Sequence, residues 1–117
     1  MAVELQTQEK TLIAILSGEI DHHCAQPMRA EIDAKIDDLQ PSVLVLDFAG
    51  VTFMDSSGIG IILGRYKKWK EQGGIIIVTG CSNPIRNILN MAGVFSLIEY
   101  MDTKKEALEY LQRKEVS

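Results

Sequence analysis

The chain is 117 residues long, 46% hydrophobic and 24% charged, with a formal net charge of −4. That size fits one domain over residues 1–117, the composition is that of an ordinary globular protein, and the acidic balance argues against a nucleic-acid binder, which needs a basic surface to displace counterions. Cys24 and Cys81 make neither a disulfide framework nor a zinc spacing. No apolar run approaches the roughly 18 residues of a membrane span, and the opening MAVELQTQEK has no signal-peptide core, so a cytoplasmic location without a membrane span is expected.

Val3 and Leu5 alternate with polar residues, and residues 12–16 are apolar, which predicts a hairpin across Gln8-Glu9-Lys10. Ser17-Gly18-Glu19-Ile20-Asp21 is expected to break the second strand, with Asp21 as the N-cap of a helix. Met28, Ile32, Ile36 and Leu39 recur at three- and four-residue steps, one face of an amphipathic helix that ends before Pro41. Residues 43–48 are almost continuously apolar and read as a strand buried on both faces. After the join Phe53-Met54-Asp55-Ser56-Ser57-Gly58-Ile59-Gly60, a second helix is predicted with Ile59, Ile62, Leu63 and Tyr66 inward and Gly73-Gly74 as its stop. Residues 75–78 are a second buried strand. Asn83-Pro84 reads as N-cap and N1 of a third helix, with Ile85, Ile88, Leu89 and Ala92 inward and Gly93 closing it. A short strand near residues 97–100 precedes Thr103-Lys104-Lys105-Glu106, a capping box opening a last helix with Ala107, Leu108 and Leu111 inward.

This order predicts an α/β domain. Its sheet is mixed, mainly parallel and four- to five-stranded, with the N-terminal strand as an antiparallel edge and alternating helices mostly on one face. Loops at the carboxyl ends of parallel strands then share one edge, bringing together residues 18–21, 55–60 and 80–84. The serine join falls in the middle.

A strand running into a helix through small polar residues presents free backbone N–H groups and the positive end of the helix dipole. Ser56 and Ser57 there mark either a capped helix start or a site of serine chemistry. A nucleophile elbow would need glycines flanking the serine, which neither residue has. Gly58, Gly60 and Gly64 miss the dinucleotide-binding spacing, and no Gly-Lys-Ser/Thr follows, although a helix start still permits a small nucleotide- or anion-binding module. His22-His23-Cys24 lacks a partner at helical spacing for a metal. The cluster Arg65, Lys67, Lys68 and Lys70 reads as a solvated helix end, with contact with an acidic partner as the alternative, and the methionines read mostly as core, with Met54 as a candidate exposed contact. Glycines inside a helix cost up to about 1 kcal/mol each relative to alanine, so those at 58, 60 and 64 suggest close approach of another backbone or a partner. A phosphoryl group on a serine at this place would be favoured by the dipole and opposed by Asp55, changing the sign of the surface without unfolding it.

The stretch 53–60, followed by Ile61-Ile62-Leu63-Gly64-Arg65-Tyr66, resembles the motif of STAS-domain anti-sigma factor antagonists, and Gly18-Glu19-Ile20-Asp21-His22-His23 resembles their second hallmark. The likeness covers essentially the whole chain and is closest to the sporulation branch; a general-stress regulator of the same family is the alternative. The resemblance implies a protein without catalytic residues, cofactor or metal of its own. Its partner would be an anti-sigma factor that is also a serine kinase, which supplies ATP and magnesium, and binding would release a sporulation sigma factor. Phosphorylation of Ser56, the family's acceptor, would end the interaction, and a serine phosphatase would restore it. Asp21 matches the family's acidic residue near the acceptor. Partner contacts are expected at Asp21, His22, Met54, Asp55, Ser57, Gly58, Ile59 and Gly60, and, from their place on the shared edge, at Asn83 and Gly93.

Overall fold

Alternation with a period of two divides the strands' side chains between two faces of one sheet. The computed structural model describes residues 2–70 and 74–116, with the strands β1 (Ala2–Gln8), β2 (Thr11–Ile20), β3 (Val43–Met54), β4 (Ile75–Thr79) and β5 (Glu99–Met101) in the spatial order β1-β2-β3-β4-β5. β1 pairs antiparallel with β2; every other pair is parallel. The helices are α1 (His22–Leu39), α2 (Ser56–Lys70), α3 (Asn83–Met91) and α4 (Lys104–Val116), with a 3-10 turn at Val94–Ser96. The expected mixed, mainly parallel sheet is what the chain forms. Met1 and Gly73, read as core filler and helix stop, lie outside the described residues.

On one face, Leu12, Leu16, Leu44, Leu46, Phe48 and Val78 pack against the buried sides of α1, α2 and α3. The interleaved residues Ile13, Val45 and Ile77 point the other way, where Ala107 and Leu111 of α4 cover them. The helices therefore do lie mostly on one face, with α4 alone behind.

Several local expectations need correcting. Ser17-Gly18-Glu19 does not end β2: the strand absorbs these residues by register shifts between Ile15 and Ser17 and between Gly18 and Glu19, and continues to Ile20. Gly18, at φ 85, supplies backbone freedom there. β3 likewise runs past Phe48 to Met54, paired with β2 as far as Ile20↔Met54. The buried stripe of α2 is rotated from the expected one, with Ile61, Ile62, Arg65 and Trp69 fully inside and Ile59, Leu63 and Tyr66 only partly so. Leu39 is exposed, and α1 closes with Gln40 in the left-handed region, φ 47. Ser82, not Asn83, is the N-cap of α3, and Ala92 is an exposed C-cap followed by Gly93 at φ 76. The capping box of α4 forms as expected, the Glu106 amide donating to Thr103 Oγ1 at 3.1 Å.

Candidate functional site

Two strands that end side by side become two helices that start side by side. The Asp55 amide donates to the Ile20 carbonyl at 3.1 Å, so Asp21 and Asp55 leave the sheet as neighbours. Each caps the helix it precedes. Asp21 Oδ1 accepts from the His23 and Cys24 amides, both at 3.0 Å, and Asp55 Oδ1 accepts from the Ser57 amide at 2.8 Å. The cap of α2 is thus the aspartate and not a serine.

That assignment separates the two serines. The Ser57 hydroxyl also donates to Asp55 Oδ1 and is half-buried. The Ser56 side chain is exposed and has no hydrogen-bond partner among the described residues. Both carboxyls are held below the ordinary value of 3.8. For Asp21 the cause is hydrogen bonding from Cys24, side chain first and then backbone; for Asp55 it is the same pair of bonds from Ser57. Asp21 pushes the Asp55 carboxyl up and His22 pushes it down, which puts all three in one electrostatic neighbourhood.

The glycines of the join serve different ends. Gly58 is buried, and a Cβ there would lie 2.2 Å from the sulfur of Met54. Its lack of a side chain is an internal packing need, set by the Met54 side chain and not by another backbone or a partner, which corrects that expectation at 58. At Gly60 a Cβ would meet nothing within 4 Å, and the residue is exposed. Met54 is only 4% exposed and packs in the core, which corrects its reading as an exposed contact. Its neighbour Phe53 is 51% exposed beside the site. Sequence reasoning passed over it, although the outward phase of β3 at that position was the available signal.

The third loop of the expected edge is set apart. β4 stops at Thr79, opposite Asp47, whereas β3 runs on to Met54. Gly80, at φ 74, packs against Asp47 and Ala49, well before the serine join. Asn83 is exposed near this nearer end. Gly93 is not on the carboxyl edge: α3 turns back from it, and Gly93 leads into the 3-10 turn, whose Phe95 lines a cavity together with Ile75 and Ile76 at the start of β4. The crossover needed to begin another parallel strand carries it there.

The basic cluster of α2 is not simply solvated. Arg65 is buried and its Nε lies 2.8 Å from Asp33 Oδ1 on α1; the angle is too poor for a hydrogen bond, so the contact is one of charge, and Nη1 has no partner. Lys68 Nζ donates to Asp37 at 2.8 Å. Burial holds the Arg65 pKa below its usual range and pushes the Cys81 thiol up to about 12. Among the described residues, no group of three or more His, Cys, Asp and Glu side chains is placed to hold a metal, and no helix is long and apolar enough to cross a membrane. The cavity of ≈370 Å³ between α2 and the 3-10 turn is lined by none of the serine-join residues. What the join offers is the exposed Ser56 hydroxyl, unpartnered among the described residues.

A mixed sheet with an antiparallel first edge, helices mostly on one side and an Asp-Ser-Ser-Gly helix start define the class. Residues 2–107 match the STAS domain, and the chain belongs to the STAS-domain family, among its anti-sigma factor antagonists. It is 37% identical over 112 residues to the anti-sigma F factor antagonist of Paenibacillus polymyxa, covering 96% of each chain. It is 34% identical to the anti-sigma F factor antagonist of Lysinibacillus sphaericus, covering 79% of this chain and 78% of that one. Among solved structures, it superposes on the unphosphorylated anti-sigma factor antagonist SpoIIAA with a TM-score of 0.82 at 28% identity, covering 95% of this chain and 96% of that one. Phosphorylated SpoIIAA from Bacillus gives 0.76 at 29% identity, with 94% and 99% covered.

Proposed function

We propose that this protein releases a sporulation sigma factor by binding an anti-sigma factor that is also a serine kinase, and that phosphorylation of Ser56 switches it off. The unphosphorylated start of α2, with Asp21, His22, Asp55, Ile59 and Gly60 around it, forms the contact surface. Occupied by this chain, the anti-sigma factor lets the sigma factor go. The kinase then transfers the terminal phosphoryl group of ATP to Ser56 Oγ, with ADP leaving and the hydroxyl proton lost, and a serine phosphatase hydrolyses the phosphoserine to restore the binding form. ATP and magnesium belong to the kinase, and this chain acts as substrate and ligand rather than as an enzyme, in the cytoplasm.

One observation carries the reading. Of the two serines at the helix start, Ser57 is committed to Asp55 while the Ser56 hydroxyl is exposed and unpartnered among the described residues. A phosphoryl group there adds about −1.5 to −2 charges to a surface that already carries Asp21 and Asp55. The test is incubation with the cognate kinase and ATP, followed by peptide mass spectrometry. One phosphate on Ser56, abolished in Ser56→Ala while binding to the kinase persists, is the expected result; modification at Ser57 alone, or none, would overturn it.

A further inference from the structure

On the reading that Ser56 takes the phosphate, the added charge of about −1.5 to −2 calls for a counter-ion close by. His22 is the first residue of α1 and Ser56 the first of α2, each following an aspartate cap at the end of paired strands. The two helices run side by side in the same direction. Asp33 meets Arg65, and one turn further along both helices Asp37 meets Lys68, each at 2.8 Å. At their starts the link runs through the strands: Ile20 and Met54 are paired and the Asp55 amide donates to the Ile20 carbonyl at 3.1 Å, so His22 and Ser56 each follow one of two neighbouring aspartates. The His22 side chain is exposed, and its ring lies against that of His23, with centroids 4.0 Å apart.

Around Ser56 the other side-chain charges are negative. Asp55 and Asp21 cap the two helices, and Glu19 lies at the adjoining end of β2. The Cys24 thiol is hydrogen-bonded to Asp21 and its pKa is raised, so it stays neutral. On α1 the next cation is Arg29, about two turns further along. On α2 it is Arg65, more than two turns along and already facing Asp33. Among the described side chains, the cation-forming groups at the helix starts are His22 and His23.

We propose that His22 is the counter-ion of the phosphorylated state, its imidazolium pairing with the phosphoryl group on Ser56. Imidazole and phosphoserine titrate at about 6.5 and 6, so the pairing changes with pH over the neutral range. The nearby Asp55 carboxyl already feels His22, which supports the placement.

The test uses the full chain with phosphoserine installed at position 56 during translation, so that it does not depend on any kinase; failure of the kinase reading then shows in the mass-spectrometric experiment and not here. The imidazoles are titrated by carbon-detected NMR and the phosphate by phosphorus NMR. Because the two groups are coupled, midpoints are read for the pair and compared with His22→Gln. At low ionic strength phosphorylation is expected to raise the His22 midpoint by about one unit, a tenfold change, shrinking with added salt. His22→Gln should raise the phosphate's second midpoint by a similar amount, and His23→Gln should leave it in place. A His22 midpoint that moves no further than that of His23, or a phosphate midpoint unchanged in His22→Gln, would overturn the proposal.

Discussion

The Cβ that Gly58 lacks would sit 2.2 Å from the sulfur of Met54, so the last residue of β3 occupies the space beneath the first turn of α2. This contact joins strand to helix at the point where Ser56 emerges.

Adding a methyl group at position 58 has to move Met54, whose Cγ is also only 2.3 Å from the added atom. Overpacking of that kind costs about 1–3 kcal/mol, against a gain of up to about 1 kcal/mol from replacing a helical glycine. Gly58→Ala is expected to destabilise by about 1–2 kcal/mol in urea melts. Gly60→Ala and Gly64→Ala, where nothing lies within 4 Å, should be neutral or stabilise by up to about 1 kcal/mol. If Gly58→Ala melts like Gly60→Ala, the packing account of Gly58 is wrong.

Charge at the exposed side of the same turn should act on binding rather than on folding. Ser56→Asp and Gly60→Asp are each expected to bind the anti-sigma factor at least about tenfold more weakly, roughly 1.4 kcal/mol, with little change in Tm. Calorimetric titration measures this, and wild-type affinity in Ser56→Asp would remove the charge switch.

The Arg65–Asp33 contact predicts an asymmetry. Asp33→Ala leaves a guanidinium that is only 8% exposed without its countercharge, whereas Arg65→Met removes the charge and keeps most of the stem. Asp33 is itself 31% exposed, so solvent screening reduces the loss to about 1–3 kcal/mol. Arg65→Met should cost less, and the double variant less than the sum of the two. Equal and additive losses would count against the pair.

Asp21 and Asp55 make the acid limb of stability. Both pKa values are depressed in the folded chain from 3.8, so the stability they contribute is complete above that value and disappears as pH falls through it towards the folded values. In Asp55→Asn the loss of Tm between about pH 5 and pH 2 should be shallower than in wild type. An unchanged slope would mean that the carboxylate's hydrogen bonds from Ser57 do not form in solution.

Much of this was legible from patterning. Period-two alternation and the aspartate at 21 led to the sheet and to the start of α1, because local chemistry decides them. The misreadings share a physical cause: they depended on contacts distant in sequence. Whether Arg65 is solvated is settled by Asp33 on another helix, and whether Met54 is surface or core by how α2 folds over it. Gly18 reads locally as a strand breaker, yet pairing with β3 carries the strand through it. Loop order alone puts Gly93 on the binding edge, but α3 crosses over and delivers it to the opposite end. The choice between Ser56 and Ser57 came first from family resemblance; the bond from Ser57 to Asp55 supplies an independent reason that the sequence alone does not contain.

α4 gives the molecule a second vulnerability, unconnected with signalling. Ala107 and Leu111 are what keep water from Ile13, Val45 and Ile77 at the rear of the sheet. If that helix frays, an apolar strip on three adjacent strands is bared, the kind of surface that quality-control proteases and aggregates recognise. The rear of the sheet thus bears on how long the folded chain lasts, whereas the surface proposed to meet a partner begins at Ser56, at the end of β3.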